Sequence, residues 1–301
     1  MPNLLDDLLA ARDVVLLDGA TGTELERRGF RAPLPLWTAD AAVRAPALLL
    51  QVHRDYLDAG CDIVTANTFR TTPYTLRAFG REPEAAGLTA RSVALARQAC
   101  RDAGHGCVAG CVAPLEDCYH PERVPPPEIA RREHALHVRN LVEAGADLLL
   151  VETMGTAREA HAAAEAALAS GLPVLVSFIL NAAGDLLSGE DFDVAVAHLR
   201  DLEVEGARVA GFLVNCTPRQ VALAALERME SATDKRPIGA YANLGAPDST
   251  RGWRWDVEAT PEAYAAWALA CRERGARLIG GCCGTTPDHV RAAAAVLLGG
   301  R

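Results

Sequence analysis

Lysine is almost missing from this chain. Lys235 is the single one in 301 residues, and the positive charge is carried by arginines scattered along the sequence. With a net charge of −9 and a pI near 5.4, no basic stripe forms for nucleic acid to dock on. Long apolar runs are lacking too. No segment reaches the roughly 18 uncharged apolar residues that a membrane span needs. The opening Met1-Pro2-Asn3-Leu4-Leu5-Asp6-Asp7 is acidic and without the apolar centre of a secretory leader. Nine cysteines are an odd number, in a chain too long to need a disulfide framework. These absences lead to the expectation of a cytoplasmic protein in a reducing compartment, with no nucleic-acid or membrane partner.

Apolar residues and a regular beat are what the chain does have. Half of it is hydrophobic, enough for one barrel of roughly 250 residues or for two smaller domains. After an amphipathic helix over Leu4–Arg12, strand and helix patterns alternate. The strands are short continuous apolar runs: Val14–Leu17, Ile63–Asn67, Cys107–Val112, Asp147–Val151, Val174–Phe178, Phe212–Asn215, Ile238–Ala242 and Leu278–Gly281. The helices read as Ala41–Ala59, Pro83–Ala103, Glu128–Ala144, Ala157–Ala169, Asp191–Glu205, Arg219–Met229, Pro261–Arg274 and Pro287–Leu298. Two long loops interrupt the beat, 113–127 and the tryptophan-bearing 244–259. Continuous rather than alternating apolar strands mean that both faces are buried. The fold class is therefore α/β: a (β/α)8 TIM barrel over residues 1–301 as one domain, with a doubly wound open sheet as the alternative.

In such a barrel the chemistry sits at the C-terminal strand ends. Those positions hold Asp18, Asn67 with Thr68, Pro114, Glu152, Phe178, Cys216, Tyr241 with Asn243, and Cys282 with Cys283. Adjacent cysteines do not bridge each other without strain. Cys282 and Cys283, flanked by glycines, also pack poorly as core, whereas together with Cys216 they suit a soft metal ion. Cys61, Cys100, Cys107, Cys111, Cys118 and Cys271 read instead as small buried hydrophobes. His53, His134, His137, His161, His198 and His289 fall on helices in packing or surface roles, and His105 and His120 lie in loops. Three thiolates with one open position are a catalytic rather than a structural zinc set. Such an electron-rich ion activates water poorly but holds a second thiol as thiolate, ready for alkylation.

The chain resembles the homocysteine S-methyltransferases, the zinc-dependent homocysteine-binding domain of methionine-forming enzymes. The resemblance rests on Leu17-Asp18-Gly19-Ala20-Thr21-Gly22-Thr23-Glu24-Leu25, Pro35-Leu36-Trp37-Thr38, Ala59-Gly60-Cys61-Asp62-Ile63-Val64-Thr65-Ala66-Asn67-Thr68-Phe69, Gly145-Ala146-Asp147 through Glu152-Thr153, and Ser177-Phe178. It continues in Val214-Asn215-Cys216-Thr217-Pro218, Tyr241-Ala242-Asn243 and Gly280-Gly281-Cys282-Cys283-Gly284-Thr285. It implies Zn2+ on Cys216, Cys282 and Cys283, and a homocysteine ammonium between Asp18 and Glu152. The substrate carboxylate would use the backbone of Gly19 and Ala20 with Thr68, and Asn243 would lend its oxygen to zinc when homocysteine is absent.

What the resemblance implies about the reaction is in-line transfer of a methyl from a cationic donor to a zinc-held homocysteine thiolate. S-methylmethionine or S-adenosylmethionine is the favoured donor, ahead of betaine, methylfolate or a corrinoid. Trp37 and Tyr119 are candidates for a cation–π contact with it. Arg70, directly after Phe69, would repel such a cation. Methylation of another thiol and a non-catalytic, regulatory zinc or thiol-binding barrel are the alternatives. The oligomeric state is not legible.

Overall fold

The computed structural model describes residues 4–31, 36–248, 252–256 and 259–299. Eight parallel strands form its main sheet: β1 Val15–Leu16, β2 Ile63–Thr65, β3 Cys107–Val112, β4 Leu148–Met154, β5 Val174–Phe178, β6 Gly211–Pro218, β7 Ile238–Asn243 and β8 Ala276–Gly281. The hydrogen-bonded order runs β1-β8-β7-β6-β5-β4-β3-β2. Leu17 then bridges Ile63 in parallel, and the Asp18 N–H donates to the Ile63 carbonyl at 2.9 Å, so β1 meets β2. The sheet closes into a TIM barrel and the open-sheet alternative falls away.

Side-chain alternation splits each apolar strand between two cores. Val15, Leu17, Ile63, Leu148, Leu150, Leu175, Leu213 and Leu278 point inward, joined by Leu5 and Leu9 of the N-terminal helix Leu4–Ala11. Leu16, Val64, Leu149, Val151, Val176, Phe212, Val214 and Ile279 point outward onto the helices. Both sets are buried, which is why the runs are almost wholly apolar, with Thr65 on β2 and Ser177 on β5 among the exceptions. Truncating any of these leucines to alanine would cost about 2–5 kcal/mol.

Local chemistry moves several expected boundaries. Helix 41–59 is two helices, Ala41–Arg44 and Pro46–Asp58, because Ala45 precedes a proline and leaves the helical region, with φ −145° and ψ 51°. Helix 191–205 is Phe192–Arg200, followed by a small antiparallel pair, Glu203–Val204 with Ala207–Arg208. Its turn residues Glu205 and Gly206 have φ of 51° and 84°, which a helix does not tolerate. The tryptophan-bearing loop carries another hairpin, Gly245–Asp248 with Gly252–Trp255. Two short helices, Thr21–Arg27 and Pro73–Arg77, escape the periodicity; the second starts on a proline, with the Thr72 hydroxyl accepting from the Thr75 N–H. Among the described residues no helix is long and apolar enough to cross a membrane.

Candidate metal and substrate site

Two strand ends bend out of register where the site begins. After outward-facing Val214, strict alternation would turn Asn215 inward and Cys216 out to the helices. Cys216 instead has φ 50° at a register shift between Asn215 and Pro218. That left-handed residue costs on the order of 1–3 kcal/mol. It swings the Cys216 Sγ to 2.9 Å from the Cys282 Sγ. Thr153 repeats the device on β4, with φ 64° beside a shift between Val151 and Met154. One buried amide holds both bends. Asn215 Oδ1 accepts from the Thr153 N–H at 3.0 Å and the Ser177 hydroxyl at 2.7 Å. Its Nδ2 donates to the Thr153 hydroxyl at 2.8 Å and toward the Cys282 sulfur at 3.9 Å.

The Sγ atoms of Cys216, Cys282 and Cys283 lie within 4.8 Å of one another. A tetrahedral ion with metal–sulfur bonds of about 2.3 Å holds its sulfurs at comparable separations, so the donor set fits a thiophilic cation. Cys282 is pushed well below an ordinary thiol by hydrogen bonds from Cys216 and Cys283. The same contacts push Cys216 well above it. A cation shared by all three would extend the thiolate state to each. Asn243, on the strand between the two cysteine-bearing ones, has a buried Oδ1 with no hydrogen-bond partner. An orphaned buried oxygen on that strand is consistent with a ligand atom waiting for a cation. Asn243 is not, however, among the residues lining the cavity above.

That cavity measures about 1340 Å³, larger than a single small ligand needs. Asp18 and Glu152 reach it from β1 and β4. The Asp18 carboxylate accepts from the Thr65 N–H at 2.8 Å and hydroxyl at 3.0 Å. Burial nevertheless pushes its pKa up to about 8, with Glu152 adding repulsion. Burial likewise raises Glu152 to about 7, against the Cys111 thiol and the Tyr241 hydroxyl, which donates at 3.2 Å. Two desolvated carboxyls in one space are a receptor for a cation that restores their ionisation. The turns bearing Asp18 and the cysteines are stitched together. The Thr285 hydroxyl donates to the Cys282 carbonyl at 2.7 Å and accepts from the Ala20 N–H at 3.0 Å. The Gly284 N–H donates to the Thr23 hydroxyl at 3.0 Å. Gly284 has φ 90° and sits against the Leu244 backbone, so only glycine fits there.

The sequence profile described as homocysteine S-methyltransferase matches residues 15–297. The chain belongs to the homocysteine S-methyltransferase family. It is 34% identical to "Homocysteine S-methyltransferase" of Escherichia coli (strain K12), over 96% of this chain and 97% of that protein. It is 32% identical to "Homocysteine S-methyltransferase YbgG" of Bacillus subtilis (strain 168), over 97% of each. The crystal structure of the homocysteine methyltransferase MmuM from Escherichia coli in its metallated form superposes with a TM-score of 0.84, at 32% identity, over 97% of this chain and 99% of that one. The protein is thus a methyltransferase whose fold and family agree.

Within this family frame, the expected residues divide. Asp18, Gly19, Ala20, Trp37, Tyr119, Glu152, Cys216, Cys282 and Cys283 all line the cavity. Thr68 does not. Its buried hydroxyl donates to the Cys111 carbonyl and accepts from the Cys111 N–H, each at 3.1 Å, so it ties β2 to β3 and has no reach to a substrate carboxylate. The Ala20 N–H is committed to Thr285, which leaves Gly19 of that turn. Pro35, in the Trp37 motif, lies outside the described residues. Sequence reasoning passed over Thr65, Cys111, Asn215 and Thr285. Thr65 was within reach, since inward Ile63 places it inward by alternation; Asn215 was not, because its role exists only through two bends.

Proposed function

We propose that this protein forms methionine, moving a methyl group from a cationic donor to the sulfur of homocysteine in a zinc-dependent reaction. S-methylmethionine is the favoured donor, with S-adenosylmethionine second, and the whole chain acts as one homocysteine-binding barrel. The observation that carries this reading is the meeting, in one cavity, of three convergent sulfurs with two buried carboxyls of raised pKa. Zinc bound by Cys216, Cys282 and Cys283 supplies the Lewis acidity that keeps a further sulfur ligand deprotonated near neutral pH.

Everything else falls to the chain's own groups. Asp18 and Glu152 ionise against the homocysteine ammonium and fix the amino-acid end. The Gly19 N–H, which no described group occupies, takes the carboxylate. With both ends held, the thiol sulfur is directed to the cysteine cluster. The leaving group departs from a cationic donor as a neutral molecule, so no general acid is required and alignment supplies most of the acceleration. Tyr119 and Trp37 wall the space through which the donor methyl approaches. Purified protein, with its metal content measured, is to be assayed with homocysteine against S-methylmethionine, S-adenosylmethionine, betaine and methylfolate. Methionine from the sulfonium donors with stoichiometric zinc is the expected result. Turnover with betaine, methylfolate or a methylated corrinoid alone would overturn the donor, and turnover only with a different thiol would overturn the acceptor. A metal-loaded protein inert with every pair would point to a regulatory barrel.

A further inference from the structure

Three described residues other than glycine line the cavity with a left-handed backbone: Cys216, Thr153 and Trp37, the last with φ 46°. Asn215 accounts for the first two. For so bulky a residue the conformation is an outlier, and it persists only where the surroundings hold it. A second buried asparagine supplies the hold. Asn67 Oδ1 accepts from the Thr38 hydroxyl at 2.8 Å, and its Nδ2 donates to the Thr38 carbonyl at 2.7 Å. Both residues are buried, so the residue after Trp37 is pinned at two points beside the end of β2. The indole itself comes down on the helix Thr21–Arg27. A Cβ on Gly22 would overlap Cζ2 and Cη2 of Trp37, and its three nearest atoms all belong to that ring. Gly22 lies within the helix, where alanine is the better residue. What the missing side chain provides is room for Trp37.

We propose that Asn67 and Gly22 are positioning residues for the methyl donor, acting through Trp37 to fix the indole against which the donor's positive charge rests. The inference rests on the cationic-donor reading and adds which residues set that wall. An aromatic face attracts a cation only within about 6 Å of the ring, so a freely turning indole would lose the contact in most of its positions. Trp37 is half-buried and is fixed from four sides. Asn67 holds its backbone through Thr38, and Gly22 lies under its ring. Glu26 Oε1 accepts from its Nε1 at 3.1 Å, and Phe69 meets it edge to face at 6.2 Å. The helix that carries Gly22 and Glu26 is bonded in turn to the cysteine-bearing turn, through the Thr23 hydroxyl and the Gly284 N–H. The indole thereby stands in a fixed relation to the sulfurs at which the methyl arrives. None of these bonds involves Asp18 or Glu152, so the acceptor end is left alone.

The test assays variants with S-methylmethionine and homocysteine and measures acrylamide quenching of their tryptophan fluorescence. Gly22→Ala is expected to fold as wild type, to raise the donor KM by about threefold and to leave the homocysteine KM unmoved. Asn67→Ala should do the same; should it fail to fold, Gly22→Ala decides alone. Each variant should also raise the share of fluorescence that acrylamide quenches. Neither substitution should add to the donor KM or to the quenching of a Trp37→Ala protein, a result that a purely structural role does not give. An unmoved donor KM in Gly22→Ala, a further loss on the Trp37→Ala background, or a raised homocysteine KM instead would each overturn the proposal. Failure of the donor reading looks different. If quenching moves as expected but wild-type protein takes a methyl from no sulfonium, the placement of Trp37 stands while the donor reading falls, and the role proposed for Asn67 and Gly22 falls with it.

Discussion

At the floor of the cavity the polar groups are tied to barrel strands: Asp18 to Thr65, Glu152 to Tyr241, Cys282 to Asn215 and Thr285. At the rim, Glu26 and Arg70 keep most of their hydrogen-bonding capacity unspent, and Trp37 and Phe69 are half-buried. The contrast follows from what each region must do. A metal and a thiol demand fixed sulfurs and fixed carboxyls, which strand ends and cross-barrel hydrogen bonds provide. A second substrate needs groups that are not already satisfied. On the proposed reading, the floor carries the acceptor and the rim bears on the choice of donor.

The sharpest way to break this division is at the floor. Cys282→Ala should remove the metal and lower methionine formation by about a thousandfold or more. Cys100→Ala, remote from the cluster, should leave metal content as it was. A Cys282→Ala protein that keeps its metal and its rate would sink the zinc assignment. Asn215→Ala comes next. Losing a buried amide that serves three neighbours should cost about 2–4 kcal/mol in urea denaturation, and weaken metal affinity about tenfold or more in chelator competition. Unchanged metal affinity would mean that the bends at Thr153 and Cys216 hold themselves.

Asp18→Asn should raise the homocysteine KM by about tenfold to a hundredfold and leave the donor KM in place; a shift confined to the donor would invert the floor and the rim. The raised carboxyls also set a pH dependence. In the free protein Asp18 and Glu152 hold protons below about 8 and about 7 respectively, and an ammonium requires their ionised forms. Binding of methionine, which has no thiol proton to lose, should therefore tighten as pH rises from 6 to 8, by up to about a hundredfold per unit below pH 7, where both carboxyls must lose a proton, and up to about tenfold per unit above it. Calorimetry showing tighter binding at pH 6 would contradict it. The smallest effect belongs to the rim: Trp37→Ala should raise the donor KM by about threefold, measured beside an unmoved homocysteine KM.

The barrel was legible because parallel strands buried on both faces must be continuous apolar runs, and eight of them alternate with helices here. Asp18, Glu152 and the Cys282–Cys283 pair were legible as strand-end residues of the wrong type for a core. Thr68 shows where that logic stops. It too ends a strand, but a neighbouring backbone in search of hydrogen bonds consumed its hydroxyl, and only the packing of β2 on β3 reveals it. Arg70 reads from the sequence as an obstacle to a cationic donor, and only the structure shows that among the described residues its guanidinium meets the Glu116 carbonyl and no acidic side chain.

What the sequence by itself determined is the architecture and the cast: which residues stand at the mouth of the barrel and which metal chemistry three thiols allow. What only tertiary structure decided is which way those residues face. Period-two alternation sends Cys216 out to the helices, and it reaches Cys282 only because a left-handed bend, held by the bonds of adjacent Asn215 to Thr153 and Ser177 on β4 and β5, turns it inward. Alternation is local and can be read along the chain; the hydrogen bonds that overrule it join residues 62 and 67 positions apart.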